Sequence, residues 1–553
     1  MTVVSLIRLF LALASVFFTG YNPVYFMLLY KNKGKNEFGS FSGRFFIFFI
    51  SFYAGLFITS NFLILLSLAK IKFNLLNTVL FSTIFFTISL AIFIRNKLTH
   101  RKIINIKEKS SLVKGRDKLF WDKEALNSCK QSFCSDREIE PVSYCTSGSI
   151  LGKKQKRIFI NLAFGFMVFF ITACFLIVIF FAVLFPIRFW DAISCWSLKA
   201  KAFFIDGNVI QFYSGHNYDF SHLSYPLYLP LAQAWIYIWL GKVDENLVKI
   251  IFPIFYLSLI FIFYHLFKKR MSRLPAVSLV FIIAALPVIM DHGYIEYTNL
   301  LFSTVLFLGV YFLYEYISAV NESDKTPCIN YLFTAAFMFA ILSSIRSEGM
   351  LFLLLFLIIN LISGLLKFSK RNQDGYGLSN RLIKVVSEIF ISVFLSVFLL
   401  LPWLILMIKL KMPFAGSEWL NVFSSAGLNG KNIPDLFRTL NSSSAAGSLA
   451  GELFYSIYDS THAFLGSSYG VIWAVLAVLL VFNFRHLFRK SNWVYPTFIV
   501  AGFSAVFISI ALIGEFAWSA DRYILHFLPL TYFWIFYNLP VFGHEKEQVH
   551  GIS

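Results

Sequence analysis

Runs of apolar residues long enough to cross a bilayer recur along almost the whole chain, and they constrain its fold more than any other feature. A hydrocarbon core of roughly 30 Å takes about 20 residues at 1.5 Å each. About thirteen segments qualify: 3–28, 44–69, 74–94, 158–185, 248–267, 274–290, 298–317, 329–345, 350–366, 385–408, 469–484, 494–513 and 523–540. Runs such as Phe45-Phe46-Ile47-Phe48-Phe49 are apolar on every side of a helix and call for lipid or protein all round. With 58% hydrophobic and only 14% charged residues, the 553-residue chain cannot hide that surface in a water-soluble fold. The expected fold is an all-α polytopic membrane protein. The first span runs on with no small-residue cleavage site, so it reads as a retained helix rather than a signal peptide.

Charge orients the helices. Lys and Arg total 48 against 29 Asp and Glu, and their placement is uneven. Residues 95–157 hold 16 basic and 7 acidic residues. Residues 189–248 hold three Lys and five acids, and residues 410–468 three basic residues and four acids. By the positive-inside rule the loops 31–43, 95–157, Lys268-Lys269-Arg270, 367–384, 485–492 and the tail 541–553 are cytoplasmic, with 186–247 and 410–468 outside. One alternating count satisfies all of these, with the N-terminus outside. Juxtamembrane Lys and Arg account for the surplus without nucleic acid as a partner. Three of the six Cys (Cys129, Cys134, Cys145) fall in the basic cytoplasmic segment, where neither disulfides nor their His-free spacing as a zinc site is expected.

The organisation read from this pattern is a three-helix block at 1–94, a basic loop at 95–157, and a membrane core at 158–540 carrying the two outer loops. Residues 192–205 set Ile193, Trp196, Ala200 and Phe203 at helical spacing, as in a helix lying in the interface plane. Residues 410–468, rich in Ser, Gly and Asn, read as a flexible lid or receptor-facing loop.

Four polar clusters sit at span ends: Arg188-Phe189-Trp190-Asp191, with Lys199 and Lys201 beyond; Asp291 to Tyr297, including His292 and Glu296, with Asn299 just inside the next span; Arg346-Ser347-Glu348-Gly349; and Glu515 to Arg522. Ionisable groups there are costly and have a job or a partner. Each also has a plain structural reading. Asp191 could pair with Arg188 and end its helix, and the Asp291 cluster could bind a metal, orient a sugar or cap a helix. Each Arg could be held by a neighbouring carboxylate. All four clusters nevertheless fall on the outer face, whereas unrelated helix caps would be shared between faces. No nucleotide-binding or His-Glu-x-x-His motif occurs.

In order along the chain, Arg188-Phe189-Trp190-Asp191, Leu198-Lys199-Ala200-Lys201, Tyr225-Pro226-Leu227-Tyr228-Leu229-Pro230, Gly293-Tyr294-Ile295-Glu296, Arg346-Ser347-Glu348-Gly349, Pro402-Trp403 and Asp521-Arg522-Tyr523 resemble the GT-C superfamily of membrane glycosyltransferases. The branch is that of the protein O-mannosyltransferases and the lipid A aminoarabinose transferase. The resemblance runs from about residue 158 to 540. It implies transfer of a sugar, usually with inversion, from a polyprenyl-phosphate donor to a glycolipid, polysaccharide or protein acceptor at the outer face of a bacterial cell membrane. It further implies Asp191 as general base and Lys199, Lys201 and Arg522 on the carrier phosphate. Arg188, Tyr225, His292, Glu296, Arg346 and Glu348 would then line the sugar or acceptor site. A divalent metal is left open, since the acid adjacent to the base in many members is missing here. The extra N-terminal helices are a second departure from the family. A transporter or flippase of lipid-linked glycans, or a polymerase or ligase of another fold, is the alternative. A transporter would place charges near the midplane, and here most spans lack them, with Glu315 and Glu388 near inner ends.

Overall fold

The structure is a computed structural model that describes residues 2–29, 40–95, 148–215, 218–321, 329–370, 378–412, 468–488, 492–513 and 520–540. Among these every regular element is a helix. In chain order they are α1 (Val3–Val24), α2 (Phe41–Leu68), α3 (Leu75–Arg95), α4 (Gly148–Leu184), α5 (Leu198–Asp206), α6 (Ile210–Gly215), α7 (Tyr228–Leu240), α8 (Glu245–Val248), α9 (Ile251–Arg270) and α10 (Arg273–Ala284). There follow α11 (Pro287–Asp291), α12 (Asn299–Asn321), α13 (Ile329–Ile345), α14 (Glu348–Lys370), α15 (Leu378–Lys409), α16 (Ile472–Leu487), α17 (Val494–Ile513), α18 (Ala520–Ile524) and α19 (Leu528–Tyr537).

Eight helical stretches among the described residues are long and apolar enough to cross a membrane: Val3–Leu28, Phe41–Leu68, Leu75–Arg95, Gln155–Leu184, Glu245–Arg270, Asn299–Ala319, Glu348–Leu366 and Val385–Lys409. The other five segments read from the sequence are helical too, but their stretches among the described residues are shorter or interrupted. Two of them are cut by proline. In 274–290 the helix stops at Ala284, because the residue before Pro287 is pushed out of the helical region and Leu286 adopts extended angles. In 523–540 a 3₁₀ turn at Leu525–Phe527 precedes Pro529 in the first turn of α19.

Two compact units emerge, Met1–Ser82 with Phe164–Ser553, and Thr83–Ala163. In the larger one α2, α9 and α12 are mostly enclosed, whereas α4 and α15 present Phe166, Phe169, Phe180, Phe390 and Phe398 outward, as lipid-facing helices do. The first two helices touch backbone to backbone: a Cβ on Gly20 would lie 1.8 Å from the Ser51 carbonyl oxygen, and one on Gly55 1.8 Å from that of Val16. Small residues allow this approach inside a membrane. Both helices also pack on α7, where Trp235 donates its indole N–H to Ser15 and Ser60 donates to the Tyr228 carbonyl. The basic segment, apart from its ends, nearly all of loop 410–468 and the tail 541–553 lie outside the described residues.

Candidate functional site

After α4 the chain must turn sharply to start the next helical stretch. Phe189 takes φ = 53°, a left-handed conformation that a bulky residue rarely adopts and that costs about 1–2 kcal/mol. Asp191 follows, heading a π-helical turn over Ala192–Ser197 that runs straight into α5. Its side chain caps nothing in that turn. Nor does it pair with Arg188, whose guanidinium lies 3.7 Å over the Phe185 ring. Arg522 of α18 instead donates from Nη1 to Asp191 Oδ2 at 2.6 Å, joining residues 331 positions apart. The Arg522 guanidinium also faces the Tyr297 ring at 5.0 Å.

Arg346, in the turn between α13 and α14, supplies the second centre. Its Nε and Nη2 donate to the Glu348 carboxylate, with Nη2 to Oε1 at 3.0 Å. Its Nη1 donates to Thr298 Oγ1 and Asn299 Oδ1, both at 3.3 Å, and Nη2 also donates to the Tyr523 hydroxyl at 3.2 Å. His526 Nε2 approaches Asn299 Oδ1 at 3.4 Å. The turn is tight because Gly349 lies against the Leu342 carbonyl, 2.3 Å from where a Cβ would be. Burial opposes the charge on Arg346, but Glu348, Tyr523 and Tyr225 around it hold its pKa above the ordinary value.

Tyr225 ties in a third cation. Its ring stacks on His222 at 4.8 Å and on Trp196 at 5.7 Å, with Arg346 at 6.0 Å and Lys199 at 5.9 Å from its centroid. Lys199 is fully buried and donates to the carbonyl of His222 at 2.7 Å, another residue with positive φ, 48°. The His292 ring lies tilted against that of Tyr297, centroids 5.8 Å apart; burial, with help from Arg522, pushes its pKa down to about 3 and keeps it neutral. Asp191, Lys199, Tyr225, His292, Arg346, Glu348 and Arg522 thus form one neighbourhood. Its formal charge is +1, from three cations and two carboxylates.

Arg188, Lys201 and Glu296 belong to an adjoining group. Lys201 pairs with Glu245, and Lys249 donates to the Phe185 carbonyl and lies 3.8 Å from Glu296. Lys199 and Lys201 part because residues two apart on a helix point to different sides. Glu296 is 3% exposed and its Oε1 makes no hydrogen bond. Desolvation raises its pKa from 4.5 to about 7, outweighing the attraction of Lys249.

The helix read at 192–205 forms, and Trp196, Ala200 and Phe203 are buried while Ile193 is 47% exposed. The π-helical turn accounts for the difference, since a wider turn rotates Ile193 away from the face that its later neighbours share. That face packs on α7.

Sequence reasoning did not single out Tyr297, Thr298, Tyr523 or His526 for the roles they take. Tyr297 and Tyr523 were visible only as members of the quoted clusters, and His526 stands four residues past Arg522, the spacing of one helical turn. Among the described residues no three His, Cys, Asp or Glu side chains gather as metal ligands. Residues 514–519 and the side chains of Ala520 and Asp521 lie outside the described residues, so of the fourth cluster only the Arg522 side chain is described. No protein-family model, curated protein or solved structure matches this chain.

Proposed function

We propose that this helical membrane protein is a glycosyltransferase that moves a sugar from a polyprenyl-phosphate donor to a hydroxyl acceptor at the outer face. The acceptor is a lipid, glycan or protein, and the membrane a bacterial cell membrane. The observation that supports the reading best is the Asp191–Arg522 contact at 2.6 Å beside Lys199, Tyr225 and Arg346. A carboxylate and a cation then stand side by side, both part-exposed, which is what such a transfer needs from a protein.

In this reading Asp191 takes the proton from the acceptor hydroxyl as its oxygen attacks the anomeric carbon. The bond from that carbon to the phosphate oxygen breaks, configuration inverts, and polyprenyl phosphate leaves with the bonding electrons. Arg522 carries the negative charge that builds on the phosphate. Tyr225 and the neutral His292 border the sugar, and Arg346 with Glu348 holds the surrounding frame.

Transfer from radiolabelled polyprenyl-phosphate sugars to membrane-derived acceptors, with purified protein in lipid, tests the reading. Asp191→Asn should lower transfer by at least about 100-fold, the scale of a lost general base, while the protein still folds. Undiminished transfer by the variant would remove Asp191 from the chemistry.

A further inference from the structure

Three cations border the site, but they are not equally available to a ligand. Arg346 has five N–H groups, and Glu348, Thr298, Asn299 and Tyr523 accept from its Nε, Nη1 and Nη2. Its side chain is 11% exposed. Lys199 is wholly buried and donates to the His222 carbonyl. Arg522 is 26% exposed, and Asp191, its partner at 2.6 Å, is 38% exposed. The cation best placed to meet an incoming anion is therefore held by the very carboxylate on which the proposed chemistry depends.

We propose that the Asp191–Arg522 pair is a masked anion site, in which a lipid-linked phosphate, diester or monoester, displaces Asp191 from Arg522 and so frees the carboxylate to act as base. The donor's phosphodiester is a monoanion like the carboxylate, but its two free oxygens can accept from both prongs of the guanidinium fork, where Asp191 accepts from Nη1, and a monoester carries more charge still. The exchange replaces one charge-assisted hydrogen bond by another set at least as strong, so the part-buried cation is never stranded. Arg346 cannot take over the released Asp191 without giving up Glu348, Thr298, Asn299 or Tyr523. Tyr297, 5.0 Å from the guanidinium, keeps Arg522 in place while its partner changes. Binding and base release are then one coupled event: whatever the pair gains by closing, the anion must overcome. In the absence of donor the base is occupied, which suppresses idle attack by water or acceptor. The role of the freed carboxylate rests on the transferase reading; the exchange does not.

Binding of farnesyl phosphate to the purified full-length protein in nanodiscs, with farnesol as the uncharged control, tests the exchange directly. The wild type should prefer the phosphate. Asp191→Asn should bind it about three- to tenfold more tightly, the scale expected when a carboxylate no longer competes for the guanidinium. That gain should survive about 0.5 M salt, where screening falls to ~4 Å and only a direct interaction persists. Arg522→Gln should lose the preference for phosphate over farnesol. Asp191→Ala serves as the second variant if the Asn form does not fold. Unchanged or weaker binding by the Asp191 variants, a gain that disappears at high salt, or no phosphate preference in either protein would each overturn the exchange. Tighter binding by the variant together with no sugar transfer by the wild type from any donor would keep the exchange and remove the transferase reading.

Discussion

At the scale of single residues the site is governed by how its charges are neutralised. Arg346 is a hub whose planar fork reaches Glu348 on one edge and Thr298, Asn299 and Tyr523 on the others. Lysine has the charge but not the fork. Arg346→Lys should cost about 2–4 kcal/mol of stability by leaving partly buried acceptors without donors, read as a lower unfolding temperature in detergent. A variant as stable as the wild type would contradict the hub. Glu296 gives a pH signature. Its pKa is raised from 4.5 to about 7, so the folded protein holds this proton more tightly than the unfolded chain does. The stability it contributes is therefore complete below pH 4.5 and is lost as pH rises to about 7. Relative to Glu296→Gln, the wild type should be more stable at about pH 5 than at about pH 8, and a constant difference would contradict the assignment. His292, held neutral, works in the opposite sense below its ordinary pKa, and cancels because both proteins carry it. The sequence showed which polar residues stand at span ends but not who pairs with whom. Nothing local in Arg188-Phe189-Trp190-Asp191 says that the acid turns away from Arg188 and meets Arg522, because that choice depends on the backbone turn at Phe189 and on packing 331 residues away.

At the scale of elements, apolar length made the helices readable and proline position decided where they stop. The run 274–290 looks continuous by hydropathy, yet Pro287 forces Leu286 out of the helix and leaves α11 as a separate short turn that carries His292 at its end. That break sets the path of residues 291–299, which reach Lys249 through Glu296, Arg522 through Tyr297 and Arg346 through Thr298 and Asn299. The π-helical turn ahead of α5 left no mark in the spacing of Ile193, Trp196, Ala200 and Phe203, and only the exposure of Ile193 reveals it. Backbone contact between α1 and α2 was equally hidden, since small residues are common in membrane helices for many reasons. Gly20→Ala would drive a methyl group to within 1.8 Å of the Ser51 carbonyl oxygen, and the helices must part. A loss of about 3 kcal/mol or a failure to fold is expected in thermal unfolding, and a neutral outcome would show that these helices do not approach so closely. Since α1 and α2 pack on α7, whose N-terminal approach carries Tyr225, the same variant should also loosen the site.

At the scale of the whole molecule, helices and connections from across the chain bring the four polar clusters to one place: Asp191 from the chain after α4, residues 291–299 ahead of α12, Arg346 between α13 and α14, and Arg522 from α18. The reading that these clusters share a face of the membrane came from charge and spacing alone. Their direct contact is a further step that spacing does not contain. Eight stretches meet the length and apolarity of a membrane crossing among the described residues, and the other five of the thirteen segments read from hydropathy are helical over shorter described or proline-broken stretches. The proposed role of this convergence is transfer of a lipid-linked sugar, with Asp191 as the base. Release of free polyprenyl phosphate from a panel of polyprenyl-phosphate sugars, followed by mass spectrometry with wild-type protein and Asp191→Asn in nanodiscs, tests it most directly. The account predicts acceptor-dependent release by the wild type from at least one donor and next to none by the variant. Equal release by the two proteins, or none from any donor with any acceptor, would contradict it.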